Sequence, residues 1–133
     1  MKAQITAAQS ALDARDAQEA TLPGLLAAMQ AALALADAQH DLVGSLLAGR
    51  KTLLAAPPQD PVDDLCLAVD LEFLDDEIEF ARQVHARLGD GVLYAERRLN
   101  RARERVRALE SDGMAAMCAW RLEQRRVSEA SQT

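Results

Sequence analysis

Residues 81–102, ARQVHARLGDGVLYAERRLNRA, hold the centre of a hydrophobic pattern that surrounds the short segment Gly89-Asp90-Gly91. On both sides of this segment, apolar positions recur at alternating spacings of three and four residues. The preceding positions are Leu67, Leu71, Leu74, Ile78, Ala81, His85 and Leu88, and the following ones are Val92, Ala95, Leu99, Ala102, Val106, Leu109 and Gly113. This spacing is typical of a helix face in a coiled coil. Two such helices joined by a glycine pair predict an antiparallel hairpin that turns at Gly89–Gly91.

The composition predicts an all-α fold. Alanine and leucine dominate the 133 residues, and only four side chains are aromatic. Both residues are strong helix formers. No segment has the alternating Val, Ile and Thr pattern of a β-strand. The length favours one helical domain over residues 1–133.

Breaking residues divide the chain into four predicted helices, at about residues 2–20, 22–56, 61–88 and 92–127. Thr21-Leu22-Pro23-Gly24 separates the first two helices, and Pro57-Pro58 ends the second because proline cannot donate the helical hydrogen bond. Asp60-Pro61 begins the third with a capping carboxylate and a proline in the first turn. Ser111-Asp112-Gly113 is expected to kink the fourth helix without ending it. The prediction is an elongated antiparallel bundle of three long helices, a weaker N-terminal helix and a frayed tail at residues 128–133.

The second and third helices have more apolar positions than one contact with a neighbour needs. One stripe on the second helix contains Leu22, Leu26, Met29, Leu33, Ala36, His40, Val43, Leu47, Arg50 and Leu54, and another contains Leu25, Ala28, Ala32, Leu35, Gln39, Leu42, Leu46 and Leu53. The third helix has an additional stripe of Val62, Cys66, Val69, Phe73, Phe80 and Val84. Helices with such wide apolar faces pack against several neighbours. The surplus therefore predicts oligomerisation or a partner helix.

Charge is distributed unevenly along the chain. Residues 1–81 have 14 acidic and 4 basic side chains, a net charge of −10, whereas residues 82–133 have 7 acidic and 11 basic ones, a net charge of +4. The predicted hairpin would pair part of this charge internally, through Asp75 with Arg103, Glu77 with Arg105 and Arg82 with Glu96. Other charged side chains would point outward. The candidate partner-binding residues are therefore Arg97, Arg101, Arg107, Asp76 and Glu79, together with the apolar pair Met117 and Trp120 further along the chain.

No pattern in the sequence indicates catalysis. Asp37 and His40 have the spacing by which a helix presents two ligands to one metal ion, but helical di-metal sites use several inward carboxylates and two Glu-x-x-His motifs. His40 and His85 both fall on apolar stripes, which favours structural roles. No serine or cysteine has the surroundings of a nucleophile, and there is no glycine-rich phosphate loop. We therefore expect no catalytic residue, metal or cofactor, and no enzyme.

The sequence favours the cytoplasm. No run of about 20 apolar residues predicts a membrane span, and residues 1–20 lack the apolar block of a signal peptide. The two cysteines, Cys66 and Cys118, fit a reducing compartment. The predicted hairpin would bring them within about one helical turn of each other.

Two functional hypotheses follow. In size and composition the chain is similar to small helical chaperones, adaptors and phage-encoded accessory proteins, although no residues match a particular family. The first hypothesis is a noncatalytic interaction module, an adaptor, chaperone-like or assembly protein that binds another protein or itself as a homo-oligomer. The alternative is a small charge-based regulator or inhibitor, either an acidic mimic or a nucleic-acid binder that uses its arginines. Nucleic acid is the less favoured partner because the arginine run contains no aromatic residue for base stacking.

Overall fold

The chain is all-α in a computed structural model that describes residues 2–132. The helices are α1 (Lys2–Glu19), α2 (Leu22–Ala55) and α3 (Pro61–Gln132). No residue in the range 2–132 belongs to a β-strand. The predicted fold class is thus confirmed, but the number of long helices is two rather than three.

The predicted hairpin at Gly89–Gly91 is wrong, because α3 is a single helix of 72 residues that passes through both glycines. Neither glycine has a positive φ. A glycine inside a helix costs about 1 kcal/mol relative to alanine, which weakens a long helix without ending it. The alternating repeat is the same when the sequence is reversed. Its symmetry about Asp90 is therefore a property of any continuous heptad pattern and gives no evidence for a turn.

The hydrophobic face predicted for these residues does exist along α3. Every position of the two predicted stripes, from Leu67 to Leu88 and from Val92 to Gly113, is buried or partly buried. The helix also continues through Ser111–Gly113, and it extends over residues 128–132, where the sequence predicted a frayed tail. Thr133, the last residue of that predicted tail, lies outside the described residues.

The connection between α2 and α3 lies at residues 56–60, where Pro57-Pro58 and Asp60-Pro61 predicted a break. The Asp63 backbone N–H donates a hydrogen bond of 2.8 Å to Asp60 Oδ1. This bond satisfies one of the free N–H groups of the first turn of α3. Asp63 and Asp64 add negative charge at the positive end of the helix dipole.

The break between α1 and α2 is short. The Thr21 carbonyl accepts a hydrogen bond of 3.2 Å from the Leu25 N–H, which begins α2. Its hydroxyl donates a bond of 2.6 Å back to the Gln18 carbonyl. The Thr21 side chain therefore caps the end of α1.

The chain divides into two compact units, which are described separately. Unit 1 combines the described residues up to Ala27 with those from Glu96 onward, and unit 2 is Ala28–Ala95. The single-domain assignment made from length stays a prediction.

Unit 2 is an antiparallel pair formed by most of α2 and the first part of α3. Arg50 Nε lies 2.6 Å from Asp75 Oδ1 near the connection. Further along, Gln39 Nε2 donates a hydrogen bond of 3.0 Å to the Ala81 carbonyl. Ile78 and Ala81 are its buried apolar residues. No residue of α2 is fully buried.

Unit 1 contains α1 and the later part of α3, also in an antiparallel arrangement. Its buried apolar side chains are Ala8, Leu99, Ala102 and Val106, with Leu99 only 1% exposed. Arg15 Nη1 lies 3.7 Å from Glu110 Oε1. A Cβ placed on the buried Gly113 would lie 3.5 Å from Leu12 Cδ2, which is ordinary van der Waals contact. Small residues thus allow α1 to lie close to α3.

Candidate interaction surfaces

One side of unit 2 presents several apolar side chains, here named the apolar flank. Its residues are Leu35, Leu42 and Leu46 from α2 and Phe73, Phe80 and Val84 from α3. Phe73 and Phe80 are each 68% exposed, and Leu35 is 59% exposed. Leu42, Leu46, Phe80 and Val84 line a groove of about 330 Å³ between the two helices. Two neighbouring phenylalanines with this much exposure are unusual on a surface that contacts only water.

The apolar flank exists because α2 is apolar over much more than one face. Partly buried positions on α2 follow the coiled-coil spacing through Ala36, Gln39, Val43, Leu46 and Arg50. This contact face takes alternate members from the two stripes that the sequence showed. Leucines beside it are left exposed. A helix that is apolar nearly all round normally has neighbours on several sides.

The opposite side of unit 2 is charged. There the Arg50–Asp75 ion pair lies in a groove of about 370 Å³ together with Leu47, Glu79 and Arg82. Asp75 therefore pairs with Arg50 of α2, whereas the sequence predicted Arg103. The predicted partners Arg103, Arg105 and Glu96 lie on the same continuous helix as Asp75, Glu77 and Arg82, so the three predicted pairs do not form.

A stripe of residues along α3 includes the α3 part of the apolar flank and is charged at both ends. It is named the outer stripe and contains Asp70, Phe73, Glu77, Phe80, Val84 and Arg87. These residues share one side of the helix because they are spaced three and four apart. All are exposed except Val84, which is partly buried. The outer stripe thus has an acid at one end, a base at the other, and two phenylalanines between them.

Unit 1 has a smaller apolar groove, of about 260 Å³, between α1 and α3. It is lined by Leu12, Arg15, Glu110, Gly113, Met114 and Met117. Arg15 also donates a hydrogen bond of 2.8 Å to Asp16 Oδ1, and this bond is the main cause that raises the pKa of the Arg15 guanidinium above its ordinary value. Arg15 and Glu110 form an ion pair of 3.7 Å at one edge of the groove.

The structure distributes the residues that the sequence singled out over both units. Asp76 and Glu79 are exposed on unit 2, and Arg97, Arg101 and Arg107 are exposed on unit 1. Met117 and Trp120 are partly buried in unit 1, and Met117 lines its groove. Sequence reasoning found the apolar stripe of Phe73, Phe80 and Val84 but did not include it among the candidate sites. The wide apolar surface of the third predicted helix was the signal that could have identified this stripe as a candidate site.

The two histidines meet each other in unit 2. The ring centroids of His40 and His85 are 5.6 Å apart, with the planes tilted by 44°. Within residues 2–132, no group of three or more His, Cys, Asp or Glu side chains has an arrangement that could hold a metal ion. Cys66 and Cys118 are both exposed free thiols. They lie far apart in sequence on one continuous helix, so the close approach expected from a hairpin does not occur.

One helical stretch of the described chain, Lys2–Ala55, is long and apolar enough to cross a membrane by length and composition alone. Buried core helices and signal sequences of other proteins meet the same criterion, and only 6% of this apolar window is buried. Asp37, His40 and Asp41 lie in the middle of α2, and ionisable side chains at that depth are costly in a lipid bilayer.

Comparison with known protein families, curated proteins and solved structures finds no match to this chain.

Proposed function

We propose that this protein is a noncatalytic interaction module that binds through its helical surfaces, either to another protein or to a second copy of itself. The observation that carries the proposal is the apolar flank, where Phe73, Phe80 and Leu35 are more than half exposed. Burying a large apolar side chain is worth about 1.5–3 kcal/mol. A partner that covered this flank would bury side chains that stay exposed in the chain alone, and binding would gain the corresponding free energy.

The proposal includes the finer architecture. In unit 2, two helices form one layer, and α2 has no fully buried residue. Helical domains normally bury each apolar face against another element. We therefore place the missing layer in a partner, so that the predicted antiparallel bundle is completed by assembly.

The surroundings of the surfaces agree with an adaptor or assembly role in the cytoplasm. The apolar residues that line the grooves of the two units include leucine, methionine and phenylalanine, residue types that form packing contacts. The exposed thiols of Cys66 and Cys118 suit a reducing compartment.

Dye binding tests the proposal. A dye whose fluorescence rises on apolar surfaces should bind the protein when it is monomeric, and the double change Phe73→Ser and Phe80→Ser should remove most of that signal. Leu93→Ser is the matched control, because Leu93 is 51% exposed on α3 but lies outside the outer stripe. Light scattering gives the mass in the same samples. A monodisperse monomer that binds no dye would contradict the proposal.

A further inference from the structure

We infer that the occupant of the apolar flank is a second copy of this chain, docked so that the outer stripes of the two α3 helices run antiparallel. This inference rests on the proposed function and names its partner. The twofold axis lies between Glu77 and Phe80, at the middle of the outer stripe. Each copy contributes the same surface, so the contact closes on itself and forms a dimer rather than a filament.

The outer stripe has apolar surface that such a dimer can bury. Phe73 and Phe80 are each 68% exposed. Each copy would therefore cover two phenylalanine side chains of the other, and large aromatic side chains contribute much of the stability of protein interfaces.

The charges of the outer stripe complement one another when the stripe is reversed. In the antiparallel register Asp70 faces Arg87 of the other copy, and Phe73 faces the other copy's Val84. Symmetry makes each contact occur twice, so two Asp–Arg pairs flank a centre that contains Phe73, Phe80 and Val84 together with the acid Glu77. A parallel arrangement would instead place like charges together, Asp70 on Asp70 and Arg87 on Arg87. Charge pattern therefore selects the antiparallel orientation.

Glu77 is expected to oppose dimerisation in this geometry. Near the twofold axis it faces Phe80 of the other copy and lies close to its own symmetry mate. Two carboxylates so placed repel each other and lose water on dimerisation. The geometry therefore requires that Glu77 raises the dimer Kd, while it also fixes the register of the two α3 helices.

A charge exchange is the first experiment, with sedimentation equilibrium of the full chain as the readout. The single changes Asp70→Arg and Arg87→Asp each convert two attractive contacts into repulsive ones, and each should raise the dimer Kd by about tenfold. The double variant carrying both changes should return the Kd close to the original value. Glu72→Arg is the control, because it makes the same charge change on an exposed residue of α3 outside the outer stripe. Circular dichroism verifies that each variant keeps its helices.

The second experiment replaces the acid at the axis. Glu77→Leu should lower the dimer Kd, whereas Glu79→Leu, which makes the same change in the charged groove on the opposite side, should leave it unaltered. A dimer whose Kd does not respond to Asp70, Arg87 or Glu77 uses another surface, and this inference is then wrong. A monomer at every concentration also overturns it. If that monomer still binds dye at Phe73 and Phe80, the proposed function survives with a different protein as the partner.

Discussion

At the scale of single residues, two polar atoms in unit 1 are buried without a hydrogen-bond partner among the described residues. They are Gln4 Oε1 and Trp120 Nε1. The register set by Leu12 with Gly113 and by Arg15 with Glu110 places Gln4 beside Trp120, about two helical turns further on. A buried acceptor without a donor costs about 1–3 kcal/mol.

Replacement of Gln4 by leucine should therefore stabilise unit 1 by about 1 kcal/mol, because it removes the buried acceptor and adds apolar contact. Trp120 is the only tryptophan, so its fluorescence reports unfolding at this site during a urea titration. Gln9→Leu is the control on the same helix, where the side chain is exposed and donates a bond to Asp13. A loss of stability in Gln4→Leu would show that Gln4 and Trp120 are in fact paired.

At the scale of helices, α3 shows which features of a sequence determine where a chain turns. Gly89 and Gly91 lie inside the helix, and a Cβ built on either of them has no atom within 4 Å. Pro57-Pro58, in contrast, lies between α2 and α3. Proline removes a donor and clashes with the preceding turn, whereas glycine only fails to favour the helix. Prolines are therefore the more reliable markers of a helix end in this chain.

Replacing both Gly89 and Gly91 by alanine should stabilise the protein, by about 0.5–1 kcal/mol for each site. Alanine favours the helix and meets no neighbouring atom at either position. Chemical denaturation followed by circular dichroism measures the effect. Ala86→Gly, on an exposed part of the same helix, should cost a similar amount and serves as the reverse control. A hairpin with a tight turn at Asp90 would instead lose stability on both glycine replacements.

Sequence reasoning predicted the residues of the α3 contact face correctly because period and burial are both local properties of one helix. It did not predict their partners. The stripes before and after Gly89–Gly91 were expected to face each other, and both instead belong to one face of α3. On α2, leucines on nearly every side concealed which stripe makes the contact. The apolar stripe that contains Phe73 and Phe80 could be predicted as well, because its spacing is a local property of one helix. Its exposure could not be predicted, because exposure depends on which parts of the chain pack over it.

At the scale of the whole molecule, the charge asymmetry is divided between the two units. Unit 2 has 12 acidic and 4 basic residues, and unit 1 has 9 acidic and 11 basic ones. Described ion pairs within the units, such as Arg50 with Asp75 and Arg15 with Glu110, neutralise only a small part of this charge. Exposed pairs of this kind are worth at most about 1 kcal/mol each. Apolar contact rather than charge therefore stabilises each unit.

Buried apolar residues are also unequally distributed, which predicts a pattern of local stability. They are concentrated on α3 between Ile78 and Val106, whereas Ala8 is the one buried residue of α1 and α2 has none. Amide hydrogens of residues 78–106 should exchange more slowly than those of α1 and α2, because local opening is easiest where little apolar area is buried. Hydrogen exchange with mass spectrometry measures this order directly. Equal protection of α1 and residues 78–106 would contradict it.

The antiparallel pairing also sets the order in which contacts become available while the chain is made. Arg50 and Asp75 are only 25 positions apart, so unit 2 can form soon after its second helix is synthesised. Arg15 must wait for Glu110, across a much longer loop with a larger entropic cost of closure. During synthesis, α1 therefore leaves the ribosome before α2 and α3 but packs against α3 only after the segment around Glu110 has been made. Until then α1, the helix with the fewest large apolar side chains, stays unpacked. Its composition limits the apolar surface through which a nascent chain could aggregate.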